Sequence, residues 1–342
     1  MGDHSPYNDF QDSIGKNTEK PEVKRQKLEN QWVPPSVTQI EEPWKFDSCT
    51  YKSKIPAHIK DYCSEPCVIG VDEAGRGPVL GPMVYGVSYC QETYQDELQK
   101  KYGFADSKTL KEDKRKDLFR EIESPSLELN SNVGWLTTTM TAKDISSGML
   151  QSTLKKSNYN LNEQAHDVTI GLIKELFQSG LNFLKLFVDT VGPPETYQAK
   201  LQKIFPSIEI VVAKKADSYY PIVSTASVVA KVTRDCNLQY FAQQLPALTN
   251  RLVGSGYPSD SKTSAWISEN VDPVFGWHFG LVRFSWQTAK DILLKSAVPV
   301  VYEEECIEEY DNKNFFNYSS DNTKDPKASI DNLFYCFPVL LL

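Results

Sequence analysis

The chain has 342 residues, of which 40% are hydrophobic and 24% are charged, and its formal net charge is −8. An acidic chain offers no general attraction for nucleic acid, so any such contact would depend on local groups of basic residues. We find no signal peptide and no apolar run long enough to cross a membrane, and the seven scattered cysteines predict reduced thiols in an intracellular compartment.

Residues 1–60 are predicted to form a disordered, polar extension, because their first 39 residues are rich in Asp, Asn, Glu, Lys and Ser. Lys20–Leu28 reads KPEVKRQKL, a basic cluster that fits either a solvated tail or a nuclear import signal. Trp44, Phe46 and Tyr51 follow, and we expect these aromatic side chains to pack against the core.

Residues 61–300 contain the segments that predict regular structure. Apolar, β-branched runs predict five strands, at Cys67–Val71, Pro82–Tyr89, Val133–Met140, Phe183–Val191 and Ile208–Asp217. Helical spacing and helix-start signals predict five helices, at Asp106–Glu123, Asn160–Gly180, Pro221–Leu245, Asp260–Asn270 and Ser285–Ala297. Strands in a run, followed by strands that alternate with helices, predict a mixed α/β sheet. Residues 301–342 are acidic and then polar, and they form a candidate partner-binding tail.

Acidic residues stand where three of the predicted strands end. Asp72 and Glu73 end the first strand, Asp189 ends the fourth, and Asp217 follows the fifth. Carboxylates at strand ends converge on one edge of an open α/β sheet, and their mutual repulsion is relieved by hard divalent cations such as Mg²⁺ or Mn²⁺. Two such ions about 3.5–4 Å apart can catalyse phosphodiester hydrolysis. Any one of these acids alone is more often a helix cap or a loop residue.

Two glycine-framed loops and several basic residues fit a polyanionic substrate. Gly75–Pro78 reads GRGP, which allows a close backbone approach and offers Arg76 to a phosphate, although a tight turn explains the pattern equally well. Tyr257 in GSGYPSD either stacks on a sugar or base or is a turn residue. The basic residues are Lys108, the run Lys111–Arg120, Lys214, Lys215, Lys231 and Arg234. An ordinary solvated helix face explains the run around Lys114 better.

Seven ordered motifs together resemble the type 2 ribonuclease H family, and within it the catalytic A subunits of the eukaryotic enzymes. The likeness runs from about Glu65 to Ala297, and both tails lie outside it. The motifs are Val71–Gly86, Ala105–Leu110, Tyr159–Asp167, Phe187–Tyr197, Lys215–Asp235, Gly254–Asp260 and Pro273–Trp286.

The resemblance implies a ribonuclease H-like fold, with a mixed five-stranded sheet flanked by helices and a helical C-terminal extension. It implies that Asp72, Glu73, Asp189 and Asp217 bind two catalytic divalent ions, Mg²⁺ or Mn²⁺. It further implies that residues 75–77, namely Gly75, Arg76 and Gly77, read the 2′-hydroxyl at an RNA–DNA junction. Tyr257 matches the tyrosine that stacks on the sugar on the DNA side, and Lys108 is a candidate phosphate contact.

The resemblance also implies the reaction and the partners. The expected activity is endonucleolytic cleavage of the RNA strand of RNA–DNA hybrids and incision 5′ to single ribonucleotides in duplex DNA, which leaves 3′-hydroxyl and 5′-phosphate ends. The expected assembly is a heterotrimer with B and C subunits, without a membrane, in the nucleus and secondarily in the cytoplasm. The expected roles are ribonucleotide excision and RNA primer removal. Two alternatives remain open: a non-catalytic nucleic-acid-binding scaffold, and another nuclease or strand-transfer enzyme of the same fold.

Overall fold

A mixed β-sheet lies at the centre of the structure, where the apolar, β-branched segments of the chain pair with one another. The structure, a computed structural model, describes residues 32–104, 110–154, 159–190, 192–244, 253–277 and 280–299. The strands in these ranges are β1 (Cys49–Lys52), β2 (Cys67–Ala74), β3 (Met83–Gln91), β4 (Gly134–Met140), β5 (Phe183–Asp189) and β6 (Glu209–Ala213). Their order in the sheet is β1–β4–β3–β2–β5–β6. The predicted mixed α/β sheet is therefore confirmed.

The register of the sheet brings acidic residues to one edge. β2 runs antiparallel to β3 and parallel to β5, and β5 runs parallel to β6. Val71 of β2 pairs with Val188 of β5, so the next residue on each strand is an acid, Asp72 or Asp189. Asp189 in turn pairs with Ala213 of β6. The carboxyl ends of these three strands thus lie together, at the edge where open α/β sheets bind ligands.

Helices cover both faces of the sheet. The α-helices in the described ranges are α1 (Pro35–Thr38), α2 (Ala57–Asp61), α3 (Gln95–Lys100), α4 (Glu112–Glu123), α5 (Glu128–Asn132), α6 (Ala142–Leu154), α7 (Leu161–Phe177), α8 (Pro194–Ile204), α9 (Pro221–Gln244), α10 (Ser261–Glu269) and α11 (Gln287–Ser296). On one face, Val71 and Val188 share an apolar cluster with Ile173 of α7 and Leu201 of α8. The other face is covered by α9.

The long helix α9 lies very close to the sheet, as its small residues predicted. A Cβ atom added at Gly70 of β2 would lie 2.4 Å from the carbonyl oxygen of Ile222, and one added at Gly86 of β3 would lie 2.6 Å from that of Ala226. A side chain at either glycine would push the helix off the sheet. Because of this close contact, the polar residues that follow along α9 lie beside the end of β2.

The predicted helical C-terminal extension is present and packs around the turn that follows β2. Leu80 of that turn forms an isolated antiparallel bridge with Val282. Both residues belong to a second apolar cluster, together with Phe241 of α9, Trp266 of α10 and Leu293 of α11. The C-terminal segment therefore packs against the glycine-rich turn and stabilises it.

The structure corrects the predicted limit of the N-terminal extension. The described residues from Pro34 onward belong to one compact unit, and Cys49–Lys52 pairs with β4 as a sixth strand of the sheet. Phe46 is buried against Phe241, and Tyr51 stacks on Trp135 at 4.8 Å, whereas Trp44 is exposed. The boundary predicted at residue 60 was wrong because β1 is only four residues long and is held by a distant strand rather than by a local pattern.

Several predictions concern residues outside the described ranges. They are the basic cluster Lys20–Leu28, the candidate phosphate contact Lys108 and the tail 301–342. In the part of the chain that is described, none of the helices has both the length and the apolar character that a membrane span requires.

Candidate active site

Three acidic residues lie near one another at the carboxyl ends of β2 and β5. Asp72 and Glu73 are consecutive residues of β2, and Asp189 is the last residue of β5. Since consecutive strand residues point to opposite faces, Asp72 faces α9, as Gly70 does, and Glu73 lies on the face covered by α7 and α8. The strand ladder thus sets the spacing of the three groups.

The fourth predicted acid, Asp217, lies in the adjoining turn. The Asp189 Oδ1 atom accepts a hydrogen bond of 2.8 Å from the backbone N–H of Ala216. Asp217 is the next residue, in the turn of 3-10 helix Ala216–Ser218, and its side chain is buried. The structure therefore brings the first three acids together and ties the turn that carries the fourth to one of them.

The clustered carboxyl groups repel one another in surroundings that are poor in water. Burial raises the pKa of Asp72 well above its usual range, and the neighbouring charges of Glu73 and Asp189 raise it further. Burial also raises the pKa of Glu73 to about 7, a rise that the Arg76 charge opposes and Asp189 increases. Such a cluster is stabilised by added positive charge.

Part of that positive charge comes from α9. The Lys231 ammonium donates a hydrogen bond of 2.8 Å to the Ser227 hydroxyl oxygen, and Ser227 is in turn hydrogen-bonded to Asp72. The Ser227 hydrogen bond and the Lys231 charge both favour the ionised form of Asp72. The interior face of α9 therefore does more than pack, because it holds one of the candidate catalytic carboxylates in place.

The donor set suits a hard divalent cation, since carboxylate oxygens are the ligands that Mg²⁺ and Mn²⁺ prefer. Within the described ranges, no three His, Cys, Asp or Glu side chains stand as a ready-made metal-binding group. One oxygen of Asp72 accepts a 2.7 Å hydrogen bond from the Glu73 backbone N–H, and one oxygen of Asp189 is held by Ala216. A carboxylate has two oxygens, so these backbone contacts do not prevent either group from binding a cation. The residues fit such an ion by chemistry and place in the fold, although their side chains do not converge on one point.

The GRGP segment forms a tight turn directly after β2. Gly75 has φ = +81°, and a Cβ atom there would lie 2.7 Å from the Pro82 carbonyl oxygen, so only glycine fits. The Arg76 guanidinium donates a hydrogen bond to Asn162 Oδ1 at the start of α7, and it also contacts the Tyr85 hydroxyl. These contacts hold the Arg76 side chain beside Glu73, so it does not extend into solvent.

A cleft of about 130 Å³ opens beside the carboxylates. Its lining includes Glu73, Asp189, Arg76, Asn162 and His166. Burial lowers the pKa of His166, so the imidazole is neutral near pH 7. The cleft is large enough for a small group of a substrate, and it continues the carboxylate site rather than forming a separate one.

Tyr257 stands at the other side of the glycine-rich turn. The residue is 42% exposed, and its Cε1 atom lies 3.5 Å from the position that a Cβ atom on Gly77 would take. The backbone carbonyl of Gly256 accepts hydrogen bonds from the N–H groups of Val79 and Leu80, at 2.9 and 3.1 Å. The exposed ring is therefore fixed against the turn and is available for stacking.

The basic residues have different roles in the structure. Lys214 and Lys215 are exposed, but Lys116 pairs with Glu112. Arg234 is only 4% exposed, and its Nη2 atom donates a 2.7 Å hydrogen bond to the Ser255 carbonyl oxygen. Arg234 therefore supports the Tyr257 loop from inside the protein and is not a surface contact.

Sequence reasoning gave no role to three residues that build the site. Asn162 holds Arg76, while Arg283 and Trp286 donate hydrogen bonds to the backbone of the glycine-rich turn. One available signal was the arginine inside the apolar segment Leu281–Phe284, because a charge at such a position is buried only where it is paired.

Comparison with known proteins gives consistent results. The family model described as Ribonuclease HII matches residues 69–289, a range that contains all four candidate acids. A protein of Schizosaccharomyces pombe, named as the A subunit of Ribonuclease H2, is 49% identical over 262 residues, which cover 77% of this chain and 76% of that protein. The Homo sapiens protein of the same name is 47% identical over 262 residues, which cover 76% and 83% of the two chains.

The fold is also similar to that of a solved structure. The crystal structure of the ribonuclease H2 from Pyrococcus horikoshii OT3 aligns with a TM-score of 0.54 at 29% sequence identity. The alignment covers 67% of this chain and 98% of that one. The part of the chain outside the alignment is thus additional to that protein.

Proposed function

Since this chain belongs to the ribonuclease HII family and is a hydrolase of the ribonuclease H class, we propose that it cleaves the RNA strand of RNA–DNA hybrids endonucleolytically. We further propose that it incises 5′ to a single ribonucleotide embedded in duplex DNA. The products of both reactions carry 3′-hydroxyl and 5′-phosphate ends. These activities suit ribonucleotide excision and RNA primer removal.

The proposed cofactor is a pair of divalent ions, Mg²⁺ or Mn²⁺, held by Asp72, Glu73, Asp189 and Asp217. Bound there, the ions supply activation of a water molecule and stabilisation of the leaving oxygen. The support for this assignment is the position of Asp72, Glu73 and Asp189 at adjoining strand ends, together with the raised pKa values of Asp72 and Glu73, which burial raises most and the neighbouring carboxylates raise further.

Substrate recognition is assigned to the turn after β2 and to Tyr257. A 2′-hydroxyl is the group that marks one ribonucleotide within DNA, and the backbone of residues 75–77 can approach it closely because the glycines carry no side chain. The Tyr257 ring, packed against Gly77, stacks on the sugar of the following deoxynucleotide. A second 2′-hydroxyl at that sugar would clash with the ring. Lys108 remains a predicted phosphate contact.

The observation that carries the proposal is the adjacency of these parts. The Asp72–Glu73 pair lies at the end of β2, the glycine-rich turn follows it directly, and the exposed Tyr257 side chain packs against Gly77 of that turn. A group that reads a 2′-hydroxyl therefore stands directly beside the groups that would cut the neighbouring phosphodiester. Either feature alone would fit many proteins, but the combination fits a junction-specific ribonuclease.

The decisive experiment maps the cut in a duplex that carries one ribonucleotide. The full chain, assembled with its partners, is expected to cut 5′ to the ribonucleotide with Mg²⁺, and Asp72→Asn is expected to abolish the cut. A matched all-DNA duplex serves as the control and should stay intact. An intact ribonucleotide-containing duplex, or cutting of the all-DNA duplex, would contradict the proposal.

The alternatives of a non-catalytic scaffold and of a strand-transfer enzyme make different predictions. A scaffold need not bind a divalent ion, so isothermal titration with Mn²⁺ would give no heat that depends on Asp72. A strand-transfer enzyme would join ends in the absence of any ribonucleotide. Comparing all-DNA, hybrid and single-ribonucleotide duplexes separates both alternatives from the proposal.

A partner surface and a cellular location are also proposed. The relatives are named as the A component of a ribonuclease, which supports an assembly with further subunits, of the B and C type. Four exposed apolar side chains near the end of the described chain offer a surface for such a partner: Val274, Phe275, Leu294 and Val298. Nuclear location, with the cytoplasm as the second location, is proposed from the cluster Lys20–Leu28, and imaging of a chain that lacks this cluster would test it.

A further inference from the structure

The backbone carbonyl oxygens of the glycine-rich turn accept hydrogen bonds from two side chains of the C-terminal segment. The Arg283 guanidinium donates hydrogen bonds to the carbonyl oxygens of Gly75, at 2.6 Å, and of Arg76, at 3.0 Å. The Trp286 indole N–H donates to the carbonyl oxygen of Gly77, at 3.2 Å. Arg283 and Trp286 therefore take the acceptors of three successive residues.

This arrangement fixes the direction of the amide groups. In a trans peptide the C=O of one residue and the N–H of the next point in opposite directions, and the described residues contain no cis peptide bond. Because the Gly75 and Arg76 carbonyls point to the buried guanidinium, the N–H groups of Arg76 and Gly77 point away from it. Those two donors consequently face away from the buried Arg283 side chain, and Gly77 itself is exposed.

The burial and hydrogen bonds of the Arg283 side chain fit a role in orienting the turn. Its side chain is completely buried, and a third hydrogen bond, of 3.0 Å, runs from its Nε atom to the Gly81 carbonyl oxygen. Burial, and then the charge of Arg234, lower the pKa of Arg283 to about 9, so the group stays protonated at neutral pH. The guanidinium also lies 4.8 Å over the Trp286 ring. Neutral backbone carbonyls are its partners in these contacts, so orienting the turn accounts for its burial.

We propose that Arg283, together with Trp286, is a positioning residue that orients the Arg76 and Gly77 amide groups toward the 2′-hydroxyl of the substrate. The inference rests on the proposed function and deepens it, since it assigns selectivity for ribonucleotides to the C-terminal segment. Lysine cannot replace this arginine, because an ammonium group lacks the planar fork that holds three carbonyls at once.

The test measures how well the full chain, in its native assembly, distinguishes two duplexes of the same sequence, one with a single ribonucleotide and one of DNA alone. Binding is followed by fluorescence anisotropy with Ca²⁺ in place of Mg²⁺, and denaturing gels verify that no product forms. Arg283→Lys is expected to lower the ratio of the two affinities roughly tenfold, the effect of one lost oriented hydrogen bond. Affinity for the all-DNA duplex should change less than about twofold, because phosphate contacts dominate it.

Two further variants keep the result interpretable. Trp286→Phe removes the donor to Gly77 but keeps an aromatic ring beside the Arg283 guanidinium, so we expect a smaller loss of discrimination of about threefold. Leu176→Ala removes a fully buried side chain of α7 and is the control for lost stability, because it should lower the melting temperature without changing the affinity ratio. If Arg283→Lys fails to fold, Trp286→Phe decides the question.

The outcomes separate this inference from the proposed function. A wild-type chain that discriminates, with unchanged ratios in both variants, overturns the positioning role alone. Equal weakening of both affinities in Arg283→Lys also overturns it, because that result describes a general loss of structure. A wild-type chain that binds the two duplexes equally overturns the proposed function as well.

Discussion

The carboxylate site differs from the turn after β2 and the Tyr257 loop in which parts of the chain hold it in position. Asp72, Glu73 and Asp189 take their positions from neighbouring strands, so the register of the sheet sets their spacing. The turn after β2 takes its shape from Arg283, 208 residues further along the chain, and the Tyr257 loop is held by Arg234 of α9. Under the proposed function, the chemistry therefore depends on the sheet, while selectivity depends on side chains from distant segments. Variants that affect one region and spare the other should separate cleavage from discrimination.

The largest effect is expected for Asp189→Asn. Asparagine keeps an oxygen that can accept the Ala216 N–H but removes a charge, so cleavage should fall by roughly 10³-fold or more, as when one member of a concerted catalytic set is removed. Because Asp189 repels both Asp72 and Glu73, we expect the melting temperature at pH 7 to stay the same or to rise. Initial rates on hybrid duplexes and differential scanning fluorimetry measure the two effects. Retention of a tenth of the activity would remove Asp189 from the catalytic set.

The next largest effect concerns the turn. Gly75→Ala places a Cβ atom 2.7 Å from the Pro82 carbonyl oxygen at a residue with φ = +81°, so the turn must shift. A displacement of about 1 Å can lower a rate about 10²-fold, and we expect a loss of this order on the single-ribonucleotide duplex.

Gly180→Ala is the matched control for the strain in Gly75→Ala. Gly180 lies just beyond the end of α7 and has φ = +74°, but an added Cβ atom meets nothing within 4 Å. Both substitutions should cost roughly 1 kcal/mol of folding stability from the backbone conformation alone. Only Gly75→Ala should lose activity, and equal activity of the two variants would show that the shape of the turn does not matter.

The contrast between the two regions also explains which features the sequence predicted. The strand-end acids, the GRGP turn and Tyr257 occur in short local patterns, and the predicted β2 to β6 are all present. The strand β1 was missed because a distant pairing with β4 creates it. Helix α6 was not predicted because Ser146–Gly148 disfavours a helix locally. In the structure, Gly148 gives room to Gln164 of α7, whose side chain bonds the Ile145 carbonyl oxygen at 3.3 Å.

The roles of the two buried arginines could not be predicted for the same reason. Arg234 was interpreted as part of a basic surface, since a helix sequence does not reveal which arginine points inward. Its partners include the Ser255 and Leu80 carbonyl oxygens and the Tyr257 ring, whose centroid lies 5.5 Å from its guanidinium. A charge that bonds backbone carbonyls of distant loops leaves no pattern in the sequence.

An intermediate effect is therefore expected for Arg234→Lys. Lysine keeps the charge but cannot bond both carbonyls and support the ring, so cleavage of the single-ribonucleotide duplex should fall about tenfold. If Arg234 acts through Tyr257, the same substitution should have little further effect in a Tyr257→Ala background. A double-mutant cycle on kcat/KM measures this coupling. Additive losses would indicate that Arg234 supports the fold in general.

The smallest effect on activity is expected at the far side of the sheet. Glu123 of α4 accepts a hydrogen bond from the Trp135 indole N–H of β4, and burial raises the pKa of its carboxyl group despite that bond. When the pKa of an acid is higher in the folded protein than in the unfolded protein, ionisation of that acid destabilises the folded state. The penalty disappears below the unfolded-state pKa of about 4.3, where both states are protonated.

Glu123→Gln keeps an acceptor for Trp135 and removes the charge, so it should stabilise the protein at pH 7 by less than about 1 kcal/mol and have no effect at about pH 3. Cleavage should not change, because β3 separates β4 from β2 in the sheet. Urea unfolding at the two pH values and rates on the hybrid duplex measure these effects. A change in cleavage without a change in stability would show that the far edge is coupled to the site, and the two regions could then not be treated as independent.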